Sequence, residues 1–447
     1  MTETSSEAAG AHPGAGGLAY RLLRRVMEVR PEEVSALAWS WLYIFSVLSS
    51  YYIMRPIRDQ MGVAGGVGNL QWLFLGTLAG MLILNVPFAF LVKTLPRTRF
   101  IPITSRFFAA NILLFALVLH STDPEQTIWV GRAFFIWISV FNLFVVSVFW
   151  ALIVDIFGSE QGKRLFGFIA AGATIGAIFG SGVTASLARY VPTPFLLIGS
   201  VALLEAAVFS VRRLSRLAPA LHAQKASATD RPIGGNIFAG ITHPFKSAYL
   251  ANVSLFMLLF TITSTFLYFQ QAGIVSQRFL DRGAQTAFFA TVDLLVNGLT
   301  LVIQVFLTGR ILRFLGVGVT LALLPALCVL GFGALALAPT VAAIVAFQVL
   351  RRSSDYAIAR PTREVLYTVV PREDRYKAKN FIDTVVYRAG DQVGAWSYAL
   401  LSVLGLGTAG IAIVAVPLSA AWLINGLWLG RRQECLAAKT AGKNQAV

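Results

Sequence analysis

The side chains in this chain that could do chemistry are charged groups that interrupt apolar segments. Residues 347–367 read FQVLRRSSDYAIARPTREVLY and contain six charged side chains. At 100° per residue, Arg352, Tyr356, Arg360 and Arg363 form one stripe along a helix. Guanidinium groups form paired hydrogen bonds with phosphate and carboxylate, so this stripe predicts anion binding. In the alternative interpretation the charges only pair within the segment, Arg352 with Asp355 or Arg360 with Glu364.

Two further segments combine charges with aromatic rings. The sequence YYIMRPIRDQMG, residues 51–62, contains Tyr52, Arg55, Arg58 and Asp59, and its proline at position 56 predicts that the helix breaks there. In the alternative interpretation these charges flank the outer membrane surface. Near residue 387 the acids Asp383 and Asp391 lie on one face, with Arg388 between them. Other polar residues in apolar segments are Arg132, Asn142, Asp293 and Asn297.

The elements that must position these residues are membrane-spanning helices. Of 447 residues, 56% are hydrophobic and 13% are charged, against about 25% charged in an ordinary soluble domain. A helix needs roughly 20 apolar residues to cross the hydrocarbon core. By that length the sequence predicts twelve transmembrane helices, at 34–54, 69–92, 100–119, 128–154, 164–188, 193–211, 247–269, 285–309, 314–337, 340–362, 380–404 and 407–430. The predicted fold class is an all-α polytopic membrane protein.

The loops between these helices alternate in charge. Cation-rich loops such as 93–99 and 372–379 alternate with loops such as 120–127 (HSTDPEQT), which has no lysine or arginine. By the positive-inside rule both termini are cytoplasmic, in what we expect to be a bacterial inner membrane. The predicted organisation is a tail with a possible surface helix at 1–33, a six-helix bundle at 34–211, a cytoplasmic linker at 212–246, a second six-helix bundle at 247–430 and a tail at 431–447.

The two halves also share a weak internal repeat. A shift of 214 residues places Glu160, Lys163, Gly176 and Gly180 on Asp374, Lys377, Gly390 and Gly394. Both halves have the same predicted orientation, so the repeat is parallel, as in the two halves of the major facilitator fold.

Composition and motifs exclude several other classes. The net charge of +16 lies mostly in loops, where membrane orientation explains it, so we expect no nucleic-acid partner. Two cysteines and four histidines suggest neither disulfides nor a metal site. The glycines Gly172, Gly176 and Gly180 have the spacing of close helix packing and lack the phosphate-loop pattern GxxxxGK[ST]. Catalytic nucleophile motifs are also missing, so we expect no enzyme and no cofactor.

Three segments carry a family resemblance. They are YYIMRPIRDQMG, FWALIVDIFGSEQGKRLFGFIAAGATIGAIFGSG and TREVLYTVVPREDRYKAKNFIDTVVYRAGDQVGAW. They resemble the ATP/ADP translocase family of intracellular bacteria and plastids, which implies a twelve-helix, major-facilitator-like fold and nucleotide exchange through cavity cations and carboxylates. Arg55 and Asp59 agree with the family's first-span motif, where Arg58 replaces a lysine. Asp391 stands where the family has a lysine, and Ile138 where it has an acid.

These observations predict a secondary transporter that moves an anionic solute, most simply a nucleotide such as ATP or ADP, by alternating access and exchange. The expected protein is a monomer in the lipid bilayer. One alternative is a proton-coupled organic-anion carrier in which Asp293, Asp383 or Asp391 titrates. Another is a membrane sensor or assembly factor that keeps the fold without transport. The predicted substrate-binding residues are Tyr52, Arg55, Arg58, Asp59, Arg132, Asn142, Arg352, Tyr356, Arg360, Arg363 and Arg388.

Overall fold

The computed structural model describes residues 29–94, 97–122, 124–157, 159–222, 247–371 and 378–445. In the first half the long helices are α1 (Val34–Ala64), α2 (Leu70–Thr94), α3 (Arg97–Ser121), α4 (Pro124–Ile156), α5 (Ser159–Leu187) and α6 (Thr193–His222). Short 3₁₀ helices at Pro31–Glu33 and Val67–Asn69 precede α1 and α2. The predicted surface helix lies mostly outside the described residues.

The second half repeats this arrangement. It contains α7 (Ala248–Arg278), α8 (Arg282–Phe306), α9 (Thr308–Leu337) and α12 (Thr408–Gln445). Between α9 and α12, helix α10 consists of Val341–Ser354, a π-helical turn at Asp355–Ala359 and Arg360–Leu366, and helix α11 consists of a π-helical turn at Ile382–Val386 and Tyr387–Val403.

The described helices confirm the predicted fold class. Ten of them, α1–α9 and α12, are long and apolar enough to cross a membrane. Helices α10 and α11 are the two that carry the charged segments, and each is interrupted by a π-helical turn. The helices therefore divide into ten with ordinary membrane character and two whose polarity must be shielded from lipid.

Several predicted boundaries differ from the helix ends. Helix α6 continues past residue 211 to His222, and α12 continues past residue 430 to Gln445. The remainder of the predicted linker, residues 223–246, lies outside the described residues.

Helix α1 corrects the prediction that Pro56 breaks the first span. The helix runs without interruption from Val34 to Ala64 with Pro56 inside it. A membrane helix tolerates proline where neighbouring helices, side chains or local backbone adjustments satisfy the backbone groups that proline leaves unbonded. Arg55, Arg58 and Asp59 therefore lie within the bundle, and the interpretation of these residues as a charged flank at the surface is wrong.

Glycines on α5 and α11 set the packing inside each half. A Cβ atom added at Gly176 of α5 would lie 2.5 Å from the carbonyl oxygen of Phe45 on α1. In the second half, a Cβ atom added at Gly390 of α11, which the repeat aligns with Gly176, would overlap the side chain of Thr261 on α7. Glycine thus allows α5 to approach α1 as closely as α11 approaches α7. The glycines that the internal repeat aligns have equivalent packing roles.

The two bundles contact each other at the end where α1 and α7 finish, which we call the closed end. Trp72 of α2 packs edge-on against Trp396 of α11, with 4.9 Å between ring centroids. The turn before α8 meets the turn after α5, where a Cβ atom added at Gly283 would lie 2.6 Å from the carbonyl oxygen of Ala188. These contacts join the bundles along one end of their interface.

The interface becomes more exposed toward the opposite end, which we call the open end. Along α10 the exposed fraction of the side chain rises from 12% at Arg352 to 56% at Arg360. Glu364, one turn further, is 60% exposed. The polar face of α10 therefore runs from the buried centre of the molecule to solvent at the open end.

Candidate functional site

Three adjoining cavities lie at and beside the bundle interface, and two of them are lined by the polar face of α10. A central cavity of about 170 Å³ is lined by residues of α1, α7, α8, α10 and α11, among them Arg55, Asp293 and Arg352. A second, of about 270 Å³, lies between the bundles, and a third, of about 320 Å³, lies inside the second bundle near Arg363 and Asp383. Tyr387 of α11 lines all three, so the cavities adjoin one another at this residue.

The π-helical turn in α10 has a local cause in Pro361. Proline lacks the N–H that would bond to the carbonyl of Ala357 in a regular helix. The hydroxyl of Thr308 donates to that carbonyl at 2.8 Å, and Gln304 donates to the carbonyl of Tyr356 at 3.4 Å. The N–H of Arg360 donates to the carbonyl of Asp355, five residues earlier. Side chains from α8 and α9 thus satisfy the backbone of a helix segment that carries the arginines.

Asp293 of α8 is the meeting point of two arginines from different bundles. Its Oδ1 atom accepts from Nη1 of Arg352 at 2.6 Å and from Nη1 of Arg55 at 3.0 Å. The Asp293 side chain is 2% exposed. Among the described residues, its Oδ2 atom and Nη2 of Arg352 have no hydrogen-bond partner. The centre of the cavity therefore combines a shared carboxylate with an unused guanidinium donor.

A second carboxylate on α10 also serves two arginines. Arg360 donates from Nε to Oδ2 of Asp355 at 3.2 Å, and Nη2 of Arg363 lies 3.5 Å from Oδ1 of Asp355. Glu364 pairs instead with Lys379. The simple pairings considered from sequence, Arg352 with Asp355 and Arg360 with Glu364, are wrong because the fold brings other partners to each of these charges.

Helix α1 places a further ion pair at the boundary of two cavities, since Arg58 lines the cavity between the bundles and Asp59 lines the central cavity. Nε of Arg58 donates to Oδ1 of Asp59 at 3.0 Å, and the guanidinium lies 4.8 Å from the ring centroid of Phe135. The hydroxyl of Tyr268 on α7 donates to the same Asp59 oxygen at 3.0 Å. This hydrogen bond is a second polar link between the bundles.

Helix α11 contributes a pair that stays within one helix. Nη1 of Arg388 donates to Oδ2 of Asp391 at 3.1 Å, and both residues line the cavity between the bundles together with Asn142 of α4. Asp383 faces the third cavity. The two acids of α11 therefore face different cavities, on either side of Tyr387.

Positive charge exceeds negative charge on the wall of the central cavity and the cavity between the bundles. The wall carries six arginines and four aspartates, namely Arg55, Arg58, Arg351, Arg352, Arg360 and Arg388 with Asp59, Asp293, Asp355 and Asp391. Burying uncompensated charge is costly, so this excess favours a bound anion.

Two of the predicted site residues lie outside the cavity walls. Arg132 sits at the closed end, where its Nη2 atom donates to the carbonyl of Gly65 at 3.2 Å and its guanidinium lies over the ring of Trp129. Tyr52 is buried, with its ring 5.6 Å from the Arg55 guanidinium. In this conformation Arg132 stabilises the turn after α1 through its hydrogen bond to Gly65. The Tyr52 ring packs against the Arg55 guanidinium and does not line the cavity. The other predicted residues line the cavities.

The sequence-based prediction did not include the cavity residues on α7. Ser264, Tyr268 and Gln271 of that helix line the central cavity, and Gln271 accepts from Gln348 of α10 at 2.5 Å. Their spacing of four and three residues within an apolar span is the signal that could have identified them. Arg351 was also missed, because it lies outside the stripe of a regular helix; it lines the central cavity and donates to the carbonyl of Phe260 at 3.3 Å.

Comparisons with known proteins are consistent with this architecture. No protein-family model matches the sequence. The chain is 21% identical to ADP,ATP carrier protein 1 of Chlamydia muridarum over 488 aligned positions, which cover 91% of this chain and 92% of that protein. This is a distant relationship that extends over nearly the whole length of both chains.

Similar solved structures are transporters with low sequence identity. A bacterial homologue of the iron transporter ferroportin in an inward-facing state gives a TM-score of 0.58 at 13% identity, over 90% of this chain and 98% of that one. An auto-inhibited POT family peptide transporter gives 0.59 at 14%, over 88% and 96%. The nucleoside transporter NupG gives 0.55 at 14%, over 91% and 98%. The chain is thus a multi-pass membrane protein with a major-facilitator-type fold.

Proposed function

We propose that this chain is a secondary transporter that moves an anionic solute, a nucleotide or a related phosphorylated metabolite, by alternating access and exchange. The observation that carries the proposal is the excess of arginine over aspartate on the walls of the central cavity and the cavity between the bundles, centred on the buried Arg352 with its unused donor. A phosphate or carboxylate accepts paired hydrogen bonds from guanidinium groups and compensates their charge.

The same charge excess supports exchange. When the bundles rock, the arginines of the central cavity are enclosed at the midpoint of the movement. Enclosing them without an anion leaves buried positive charge uncompensated, whereas enclosing them with an anion does not. A carrier whose cavity wall has this excess of arginine therefore changes conformation more readily with an anion bound than when empty. This difference is the requirement for exchange.

The relative's name and the position of the cavity support the substrate class and the direction of opening. The Chlamydia muridarum protein is named as a carrier of ADP and ATP. Aromatic rings of Phe260, Tyr356 and Tyr387 line the central cavity beside the arginines, so a base has surfaces on which to stack. With cytoplasmic termini, as the loop charges predict, the open end faces the cytoplasm. The carboxylate of Asp293, Asp383 or Asp391 would carry coupling if protons took part.

Proteoliposome uptake tests the proposal. Purified protein is reconstituted into liposomes loaded with unlabelled ATP, ADP, phosphate or citrate, and uptake of each labelled anion is measured. We expect uptake of at least one phosphorylated anion, dependent on an internal anion and strongly reduced in Arg352→Ala. The matched control is Arg106→Ala, which removes an arginine of α3 that is 51% exposed and pairs with Glu205. The absence of both uptake and ligand-induced stabilisation for every anion would favour the sensor or assembly-factor alternative.

A further inference from the structure

The carboxylate of Asp293 occupies the position that an anionic substrate would compete for. It is the group to which both Arg55 and Arg352 donate, and all three line the central cavity. A phosphate oxygen has the same charge sign and the same acceptor chemistry as this carboxylate oxygen. A substrate that binds these arginines therefore takes donors that Asp293 holds in the structure.

The two arginines differ in what they connect. Arg352 of α10 and Asp293 of α8 belong to the same bundle, whereas Arg55 of α1 belongs to the other. The contact between Arg55 and Asp293 is thus a buried ion pair across the bundle interface, and it lies on the closed-end side of the more exposed Arg360. Breaking a buried pair is costly because each charge loses its partner.

We propose that Asp293 is a built-in counter-anion that locks the closed end and competes with the substrate for Arg55 and Arg352. This inference rests on the proposed anion carrier and names the residue that links binding to bundle movement. In the absence of substrate, Asp293 neutralises part of the arginine charge and ties the bundles together through Arg55. An anion that binds Arg55 in place of Asp293 removes the ion pair between the bundles, and the closed end can then open.

Two different observables test the two parts of this proposal. The first is the distance across the closed end, measured by electron paramagnetic resonance between spin labels at Tyr190 and Leu337. These residues lie in different bundles, and their side chains are 83% and 90% exposed. Labelling requires a background with Cys328→Ala and Cys435→Ser, because both native cysteines are free. The second observable is the affinity for pyrophosphate and for ATP, measured by ligand-induced thermal stabilisation in detergent.

Each variant has a distinct expected pattern. Asp293→Asn removes the negative charge next to two guanidinium groups, so we expect longer closed-end distances without any ligand and anion binding tighter by about tenfold or more. Arg55→Gln breaks the same tie, so we expect the same lengthening with weaker anion binding. Arg352→Gln breaks a pair within one bundle, so we expect weaker binding with unchanged distances. If Asp293 and Arg55 only stabilised the fold, Asp293→Asn and Arg55→Gln would change the affinity for anions in the same direction.

The matched control is Asp391→Asn. It makes the same chemical change to another cavity aspartate, but the partner of Asp391 is Arg388 on the same helix. We expect its closed-end distances to match those of the wild type. Unchanged distances in both Asp293→Asn and Arg55→Gln would overturn the lock, and weaker anion binding by Asp293→Asn would overturn the competition. If neither the wild type nor Asp293→Asn binds any anion, the carrier proposal and the competition fail together, whereas the distances still decide the lock.

Discussion

The arginines of the cavity differ in burial, and this difference predicts their separate contributions to anion affinity. The side chains of Arg58 and Arg352 are 14% and 12% exposed, whereas that of Arg360 is 56% exposed. Loss of a charged partner in a buried site costs about 2 to 5 kcal/mol, and loss of an exposed one costs under about 1 kcal/mol. The loss of anion affinity on removal of an arginine should therefore be large at the buried positions and small at the exposed end of the cavity.

We therefore expect Arg58→Ala and Arg352→Ala to weaken anion binding by roughly 30-fold or more, and Arg360→Ala to weaken it by less than about fivefold. The measurement is ligand-induced stabilisation of each variant during thermal unfolding in detergent, with nucleotides and simpler anions as ligands. Arg106→Ala is the control, since Arg106 pairs with Glu205 on the outer helices. Wild-type responses in well-folded Arg58→Ala and Arg352→Ala would make these arginines structural.

The proton-coupled alternative makes its own prediction at α11. Asp391 is a cavity carboxylate whose arginine partner, Arg388, lies one turn away on the same helix. If it carries a proton during transport, Asp391→Asn retains exchange of external for internal substrate but loses accumulation driven by a proton gradient. Uptake into proteoliposomes with and without an imposed gradient distinguishes the two. Unchanged accumulation in Asp391→Asn and in Asp383→Asn would remove both residues from proton coupling.

Sequence information identified the charged residues of the cavity but not their partners. Arg352 and Arg360 were recognisable because hydrocarbon excludes unpaired charge. The partner of Arg352 is Asp293, 59 residues away along the chain, and it approaches only when α8 packs beside α10. Helical spacing describes neighbours on one helix, so it could suggest only Asp355 for Arg352. Tyr268 was missed for a similar reason, because its role becomes visible only through Asp59 on the other bundle.

At the scale of the helices, the apolar length criterion was most reliable where the sequence is simplest. It identified α2 and α3 closely, but it ended the first span at residue 54, before Arg55 and Pro56, whereas α1 continues to Ala64. The criterion treats charge and proline as signals of a boundary. In α1 and α10, charged residues and proline lie inside the helix. The facing bundle supplies partners for the charges, and a side chain such as that of Thr308 donates to the carbonyl that proline leaves unbonded.

The repeat-related glycines predict a stability effect at this scale. Gly176→Ala places a Cβ atom 2.5 Å from the Phe45 carbonyl oxygen, so α5 must move away from α1. We expect a loss of about 1 to 3 kcal/mol in the free energy of unfolding, seen as a lower midpoint of thermal unfolding in detergent.

Gly167→Ala in the same helix is the control, because nothing lies within 4 Å of the added atom. Its stability should equal or slightly exceed that of the wild type, since alanine has the higher helix propensity. Equal midpoints for Gly176→Ala and Gly167→Ala would show that the contact between α5 and α1 is not as close as described.

At the scale of the whole molecule, the two bundles form a cavity that is closed at one end and lined by charged side chains together with aromatic and aliphatic ones. The closed end is held by aromatic packing at Trp72 and Trp396, and the buried pair of Arg55 with Asp293 joins the bundles deeper inside, at the central cavity. Aromatic packing has no charge requirement, whereas the ion pair responds to a competing anion. The ion pair is therefore the contact between the bundles through which, in our proposal, a bound anion promotes opening of the closed end.

The side of the membrane that the open end faces follows from the loop charges and is directly testable. Pro124 begins α4 at the closed end, and after the three crossings of α4, α5 and α6 the chain reaches His222 at the opposite end. An odd number of crossings places Pro124 and Gln224 on opposite sides, and the positive-inside rule places Gln224 and both termini in the cytoplasm. Reporter fusions at Pro124, Gln224 and each terminus measure these locations.

Finding Pro124 and Gln224 on one side would contradict the twelve-helix topology. Finding them on opposite sides but reversed would keep the topology and make the described conformation open to the outside, so the Arg360 end of the cavity would receive substrate from the external medium.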